Sequence, residues 1–160
     1  MIFVTVGTQL PFDRLVAGVG EWQARNPDMP VFGQIGKSAL QPTFPCVDYL
    51  RGRAFETRLN EAGVVVSHAG IGIILTCWSL KKPLIVVPRQ HRLGEHRSDH
   101  QTATVKHLSK MLTLSTADTS EALHALLSSP WDRLVPVRAK EADAARISAF
   151  VNGMLAESAP

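Results

Sequence analysis

Gly63-Val64-Val65-Val66-Ser67-His68-Ala69-Gly70-Ile71-Gly72 is the stretch whose reading decides the fold. Three consecutive β-branched valines predict a short buried strand, Val64 to Ser67, because stiff branched side chains favour pleated backbone. The polar and glycine residues behind them predict a tight turn. Ile71, Ile74, Leu75 and Trp78 then recur at helical spacing, so a helix starts at or near Gly70 and runs to about Leu80. Strand, glycine turn and helix in that order aim free backbone N–H groups and the positive helix end at an anion. His68 falls at the mouth of the turn, and the segment reads as a phosphate or diphosphate site. Taken alone it also reads as a plain β-turn-α connection, since short glycine motifs match often by chance.

The same alternation extends in both directions. Ile2 to Val6 predicts a buried first strand, followed by the loop Gly7-Thr8-Gln9-Leu10-Pro11. Pro11 opens a helix to about Arg25 with Phe12, Leu15, Val16 and Val19 on its apolar face. Asn26-Pro27-Asp28 predicts a turn into a strand from Val31 to Ile35, and a short third strand lies near Cys46-Val47. Phe55 to Ala62 predicts a short helix. Leu84 to Pro88 predicts a strand apolar throughout, and Arg89 to Asp99 a polar, basic loop. A helix then runs to about Lys110, a strand covers Met111 to Leu114, and Thr119 or Ser120 caps a helix through Leu127. A last helix spans roughly 138 to 155, its stripe of Ile147, Phe150, Val151, Met154 and Leu155 packing on the sheet or on a partner. Apolar strands alternating with helices predict an α/β, Rossmann-like doubly wound parallel sheet. In such sheets ligands lie beyond the carboxyl ends of the strands. Gly7-Thr8, the Ser67 to Gly72 turn and the Arg89 to Asp99 loop all follow strand ends.

Composition bounds the function. A chain of 160 residues fits one domain, 1–160, which buries roughly 70% of its unfolded surface without disulfides or metals. The net charge of +3 suits a small polyanionic ligand or an acidic membrane surface and is too weak to argue for nucleic acid. The two cysteines, Cys46 and Cys77, read as reduced thiols. The start, Met1-Ile2-Phe3-Val4-Thr5-Val6-Gly7, has no basic n-region and no long apolar run, so neither a signal peptide nor a membrane-spanning helix is expected.

Several chemistries find no support. Gly7-Thr8-Gln9 is not G-x-G-x-x-G, and no acidic residue is placed for a nicotinamide ribose, which disfavours a dehydrogenase. No serine sits in G-x-S-x-G, so a hydrolase triad is unsupported. His96 and His100 stand i, i+4, yet H-E-x-x-H is absent, so hydrogen-bonding histidines are expected rather than a metal site. The run Arg89-Gln90-His91-Arg92-Leu93-Gly94-Glu95-His96-Arg97-Ser98-Asp99-His100-Gln101 is dense in groups that bind sugars and phosphates. Its alternative reading is a solvated charged loop.

As an ordered set, Phe3 to Thr8, Val66 to Gly72, Lys82 to Arg89, Leu93 to His96 and Asp99 to Gln101 resemble the C-terminal, donor-binding half of GT-B glycosyltransferases of family 28. The likeness spans Ile2 to about Gln101. It is greatest to small catalytic subunits of split enzymes: bacterial exopolysaccharide glucuronosyltransferase β-subunits, and the eukaryotic subunit that extends dolichol-linked N-acetylglucosamine. The resemblance implies that Gly7, Thr8, His68, Gly70 and Gly72 hold a donor diphosphate, and that Asp99, His100 and Gln101 face the sugar. Glu95 and His96 belong to the same donor-binding loop, and Arg89, Arg92 or Arg97 would pair with a glucuronate carboxylate. Tyr49 to Phe55 would lie over the base. Relatives often carry a ribose-binding Glu where this chain has Thr76, which leaves one weaker contact. The resemblance further implies inverting transfer from a UDP-sugar to a polyprenyl-diphosphate-linked saccharide, without a cofactor or metal. It also implies a membrane-anchored acceptor-binding partner that recruits this cytoplasmic chain to the membrane. Apolar surface on a lone half-enzyme would promote self-association. A noncatalytic UDP-sugar-binding regulatory or scaffold subunit is the competing reading, and a fold-related epimerase or phosphorylase is disfavoured by length.

Overall fold

The valine run lies at the centre of a parallel sheet. The structure, a computed structural model, describes residues 1–131 and, of those beyond, 134, 136–139, 145, 147 and 149. The described strands are β1 (Ile2–Thr5), β2 (Val31–Gln34), β3 (Cys46–Val47), β4 (Val64–His68), β5 (Leu84–Val87) and β6 (Ser115–Thr116). The described helices are α1 (Asp13–Arg25), α2 (Arg53–Glu61), α3 (Ile71–Ser79), α4 (His100–Met111) and α5 (Ser120–Ser128). The strands are ordered β3-β2-β1-β4-β5-β6, all pairings parallel. This is the doubly wound Rossmann-like sheet expected from the sequence.

Strand alternation sorts the core into two layers, because successive side chains point to opposite faces. Ile2, Val4, Val64, Val66, Ile85 and Val87 join Leu15, Val16, Val19 and Trp22 of α1 and Leu123 and Leu127 of α5 on one face. Phe3, Val65, Leu84 and Val86 join Leu59 of α2, Ile74 and Cys77 of α3, and Leu108 of α4 on the other. Gly18 lets α1 and α5 approach: a Cβ there would lie 3.2 Å from a Leu123 methyl. Both cysteines are free thiols, and burial pushes that of Cys77 up to about 12.

The chain runs outward from β1 to β3, then returns to place β4 on the other side of β1. Two loops diverge at the carboxyl ends of this central pair, where doubly wound sheets bind ligands. They are Gly7 to Phe12 after β1 and Ala69 to Gly70 after β4.

Several boundaries depart from expectation. Helix α1 begins at Asp13 with Phe12 as its N-cap, and α2 begins at Arg53. Strand β4 continues through His68, which pairs with Val87, so the histidine is held by sheet geometry. The strand expected at Met111 to Leu114 is instead β6, Ser115–Thr116, paired with Ile85 and Val86. Met111 closes α4 and Leu112 is buried, because those apolar side chains pack in the second layer. An edge strand with one open side accepts the polar Ser115 and Thr116. The expected last helix does not begin at Arg138, since Ala139 makes an antiparallel bridge to Leu112, but its described residues 145, 147 and 149 are helical. Ile147 of its apolar stripe is buried, whereas Phe150, Val151, Met154 and Leu155 lie outside the described residues.

Candidate functional site

An open cleft of about 750 Å³ lies at the switch between β1 and β4. It brings together nine residues singled out in the sequence: Gly7, Thr8, His68, Gly70, Gly72, Arg89, His96, His100 and Gln101. Among the described residues no Asp or Glu lines it. Two helices begin at its wall, α3 behind Gly70 and α4 behind Asp99, and no side chain caps either start. Uncapped first-turn N–H groups and the positive helix ends give the cleft affinity for anions.

The glycines are explained by the histidine between them. A Cβ on Gly70 would lie 2.3 Å from His68 Nε2, and one on Gly7 would lie 2.6 Å from His68 Cε1. Gly7 also has φ +81, a left-handed conformation that side chains disfavour. Behind the ring, Ser67 donates to Thr5 O at 2.8 Å and lies 3.2 Å from His68 Nδ1. Burial and the neighbouring Arg89 charge lower the His68 pKa to about 4, partly opposed by the Thr5 carbonyl. The imidazole is therefore neutral at pH 7.

Arg89 departs from expectation. Its side chain is 2% exposed, with the guanidinium carbon 4.4 Å from the Phe12 ring centre. One terminal nitrogen donates to Val6 O at 2.9 Å and Leu10 O at 2.7 Å. The other donates to Pro11 O and, at 3.4 Å, to Glu95 O. With its terminal N–H groups thus engaged, it cannot also fork onto a sugar carboxylate. It locks the loop after β1 to the end of β5. Burial holds its pKa down to about 10, with Glu95 opposing, so it stays cationic at neutral pH.

Three further residues stand outside the cleft lining. Glu95 takes Arg14 in a bidentate pair at 2.7 and 3.0 Å and accepts Gln90 N at 2.8 Å, which braces the loop against α1. Asp99 accepts His91 N at 3.1 Å and borders a separate shallow pocket with Gln90 and Arg92. Thr76 donates to Gly72 O at 2.8 Å and faces a groove between α2 and α3. His96 lies in the loop and only His100 belongs to α4, so the two do not share a helix face. Among the described residues no group of His, Cys, Asp or Glu is placed to hold a metal.

Gln101 ties the wall together: its carbonyl oxygen accepts Ala69 N at 3.2 Å and Arg89 N at 3.1 Å. That polarity leaves its NH₂ as the group free to turn to a ligand. Gln34, not singled out from the sequence, donates to Thr5 Oγ1 at 3.2 Å and accepts Leu50 N at 2.9 Å. A buried amide ending a strand beside β1 was its only signal. Of the segment expected over a base, Phe55 lines the cleft, and Tyr49 reaches Thr8 O at 3.5 Å.

Residues 1–133 match the family described as the glycosyltransferase family 28 C-terminal domain. Among solved structures, the glycotransferase of kitacinnamycin superposes with a TM-score of 0.53 at 22% identity, over 82% of this chain and 36% of its own. MurG of Acinetobacter baumannii superposes with a TM-score of 0.56 at 19% identity, over 79% of this chain and 40% of its own. The chain thus spans 36% and 40% of the lengths of these two proteins. No curated protein matches the chain.

Proposed function

From a chain that belongs to the glycosyltransferase family 28 C-terminal domain family, we propose the donor-binding part of an inverting, UDP-sugar-dependent glycosyltransferase. The observation that carries this reading is the cleft itself. Two uncapped helix starts, two glycine turns, three histidines and a buried arginine converge on a space that no described carboxylate lines. A diphosphate bound there meets backbone N–H groups and positive helix ends, which stabilise a departing nucleoside diphosphate electrostatically and without a divalent ion. In this reading Gly7, Thr8, His68, Gly70 and Gly72 surround the diphosphate, and His100 and Gln101 face the sugar.

The donor is a hexose or hexuronic acid, with glucuronate the first choice on the family resemblance. Because Arg89 is engaged by backbone and Arg92 borders the separate pocket, a glucuronate carboxylate in the cleft falls to His96 or His100. The acceptor is a polyprenyl-diphosphate-linked saccharide of exopolysaccharide synthesis, bound by a membrane-anchored partner that brings this chain to the cytoplasmic face. Among the described residues no helix is long and apolar enough to cross a membrane. The alternative, a noncatalytic UDP-sugar-binding scaffold or regulatory subunit, draws on Thr76, which stands outside the cleft lining and offers the ribose one weaker contact at most.

Calorimetric titration with UDP, UDP-glucose and UDP-glucuronate tests the reading. Saturable UDP binding that weakens at least tenfold in His68→Ala is expected, and the tighter of the two sugars identifies the donor. No binding of any of the three at millimolar concentration would overturn it.

A further inference from the structure

The hydrogen-bond chain behind His68 decides which ring nitrogen carries the proton. Ser67 is fully buried, and its hydroxyl donates to Thr5 O at 2.8 Å. A serine hydroxyl has one hydrogen, so toward His68 Nδ1, 3.2 Å away, Ser67 Oγ can only accept. Nδ1 is therefore the N–H, and the neutral ring keeps its lone pair on Nε2. The ring lies between Gly7 and Gly70, whose lack of Cβ opens it to the cleft. Facing it are Arg89 at the end of β5, His96 in the loop that follows and His100 at the start of α4. The loop after β1 and helix α3 bring no charged group to the lining. Burial first, then Arg89 and to a lesser degree His96, keep the ring neutral against the pull of the Thr5 carbonyl.

A phosphate oxygen brought to this ring meets a lone pair, acceptor against acceptor. We propose that His68 takes a proton from solvent onto Nε2 as the donor diphosphate docks, so that each donor bound carries one proton into the site. This rests on the donor-binding reading of the cleft and deepens it. The resulting imidazolium donates from Nδ1 to Ser67 and from Nε2 to a diphosphate oxygen. During transfer the bond from the anomeric carbon to the β-phosphate oxygen breaks, and its electron pair stays on that oxygen. A positive charge already beside the diphosphate stabilises that change. The proton returns to solvent when the nucleoside diphosphate leaves. Affinity should accordingly fall tenfold per pH unit between the ring's free and bound titrations.

UDP-glucose is the probe, since its diphosphate, unlike the terminal phosphate of UDP, does not titrate near neutrality. Calorimetry at pH 6 in buffers of differing ionisation enthalpy reads the protons taken up per ligand. The protein should take up close to one, and His68→Gln none. Should the variant bind too weakly to measure, nitrogen-15 resonances of the labelled histidine replace it: on saturation Nε2 should move into the protonated range. Saturable binding without proton uptake, uptake that persists in His68→Gln, or an unmoved Nε2 resonance overturns the proposal and leaves the donor site standing. Absence of saturable UDP-glucose binding overturns the donor-site reading, and this proposal with it.

Discussion

At Gly70 an added Cβ would meet His68 Nε2 at 2.3 Å, whereas one at Gly72 would meet nothing within 4 Å. Two alanine substitutions two residues apart, one at the N-cap of α3 and one in its first turn, should therefore behave differently. Gly70→Ala displaces the imidazole and should weaken UDP binding at least tenfold by calorimetry. Gly72→Ala should leave stability within about 0.5 kcal/mol, so any loss of binding there reports ligand proximity alone. The ring also links stability to pH. Its folded pKa, about 4, lies below the ordinary 6.5, so between those values the unfolded chain binds more protons. Stability contributed by the neutral ring is thus complete above the unfolded value and lost as pH falls toward 4. The loss is on the order of 3 kcal/mol. Urea unfolding of the ligand-free protein at stepped pH should show this slope, and His68→Gln should flatten it. For Arg89→Met, Val6 O and Leu10 O lose the buried partner that satisfied them. Leaving such carbonyls unpaired should cost about 3 kcal/mol in urea unfolding.

Helix α5 offers a separable test one level up. Thr119 accepts Ala122 N at 3.2 Å as its N-cap and is not part of the cleft lining. Thr119→Ala should lower stability by about 1 kcal/mol and leave the UDP dissociation constant unchanged, as denaturation and calorimetry would show. This cap, the apolar run of β5 and the valines of β4 were legible in the sequence because each is a local pattern: a polar cap before helical spacing, or a β-branched run. The glycine turns were legible for the same reason. What was not legible depends on partners distant in the chain. Ser115 and Thr116 carry no apolar signal, and only the backbone of β5 makes them a strand. Arg89 read as a ligand-binding group because its charge was visible and the carbonyls of Val6, Leu10 and Pro11 that surround it were not. Glu95 is likewise a visible charge in the expected donor loop, whereas its partner Arg14 lies 81 residues away in the chain. Charged residues in a loop announce chemistry and conceal whether it is spent on the fold or kept for a ligand.

For the whole molecule, the proposed function makes the cleft one wall of a reaction site. Its described lining includes glycine-turn backbone and histidines but no carboxylate to take the proton from an acceptor hydroxyl. If His68 is protonated by the bound donor, it is not available as that base either. The acceptor's base is then expected from the partner, so binding and turnover should separate. This chain alone should bind UDP-glucose or UDP-glucuronate yet transfer neither to a polyprenyl-diphosphate-linked saccharide in vesicles. Adding the acceptor-binding partner should start transfer, and His68→Ala should then lower kcat/KM at least tenfold. Rates measured with labelled donor, with and without partner, decide between the two classes of function. Transfer by the partner that proceeds unchanged with His68→Ala would assign this chain to scaffolding, its cleft sensing the nucleotide sugar without acting on it.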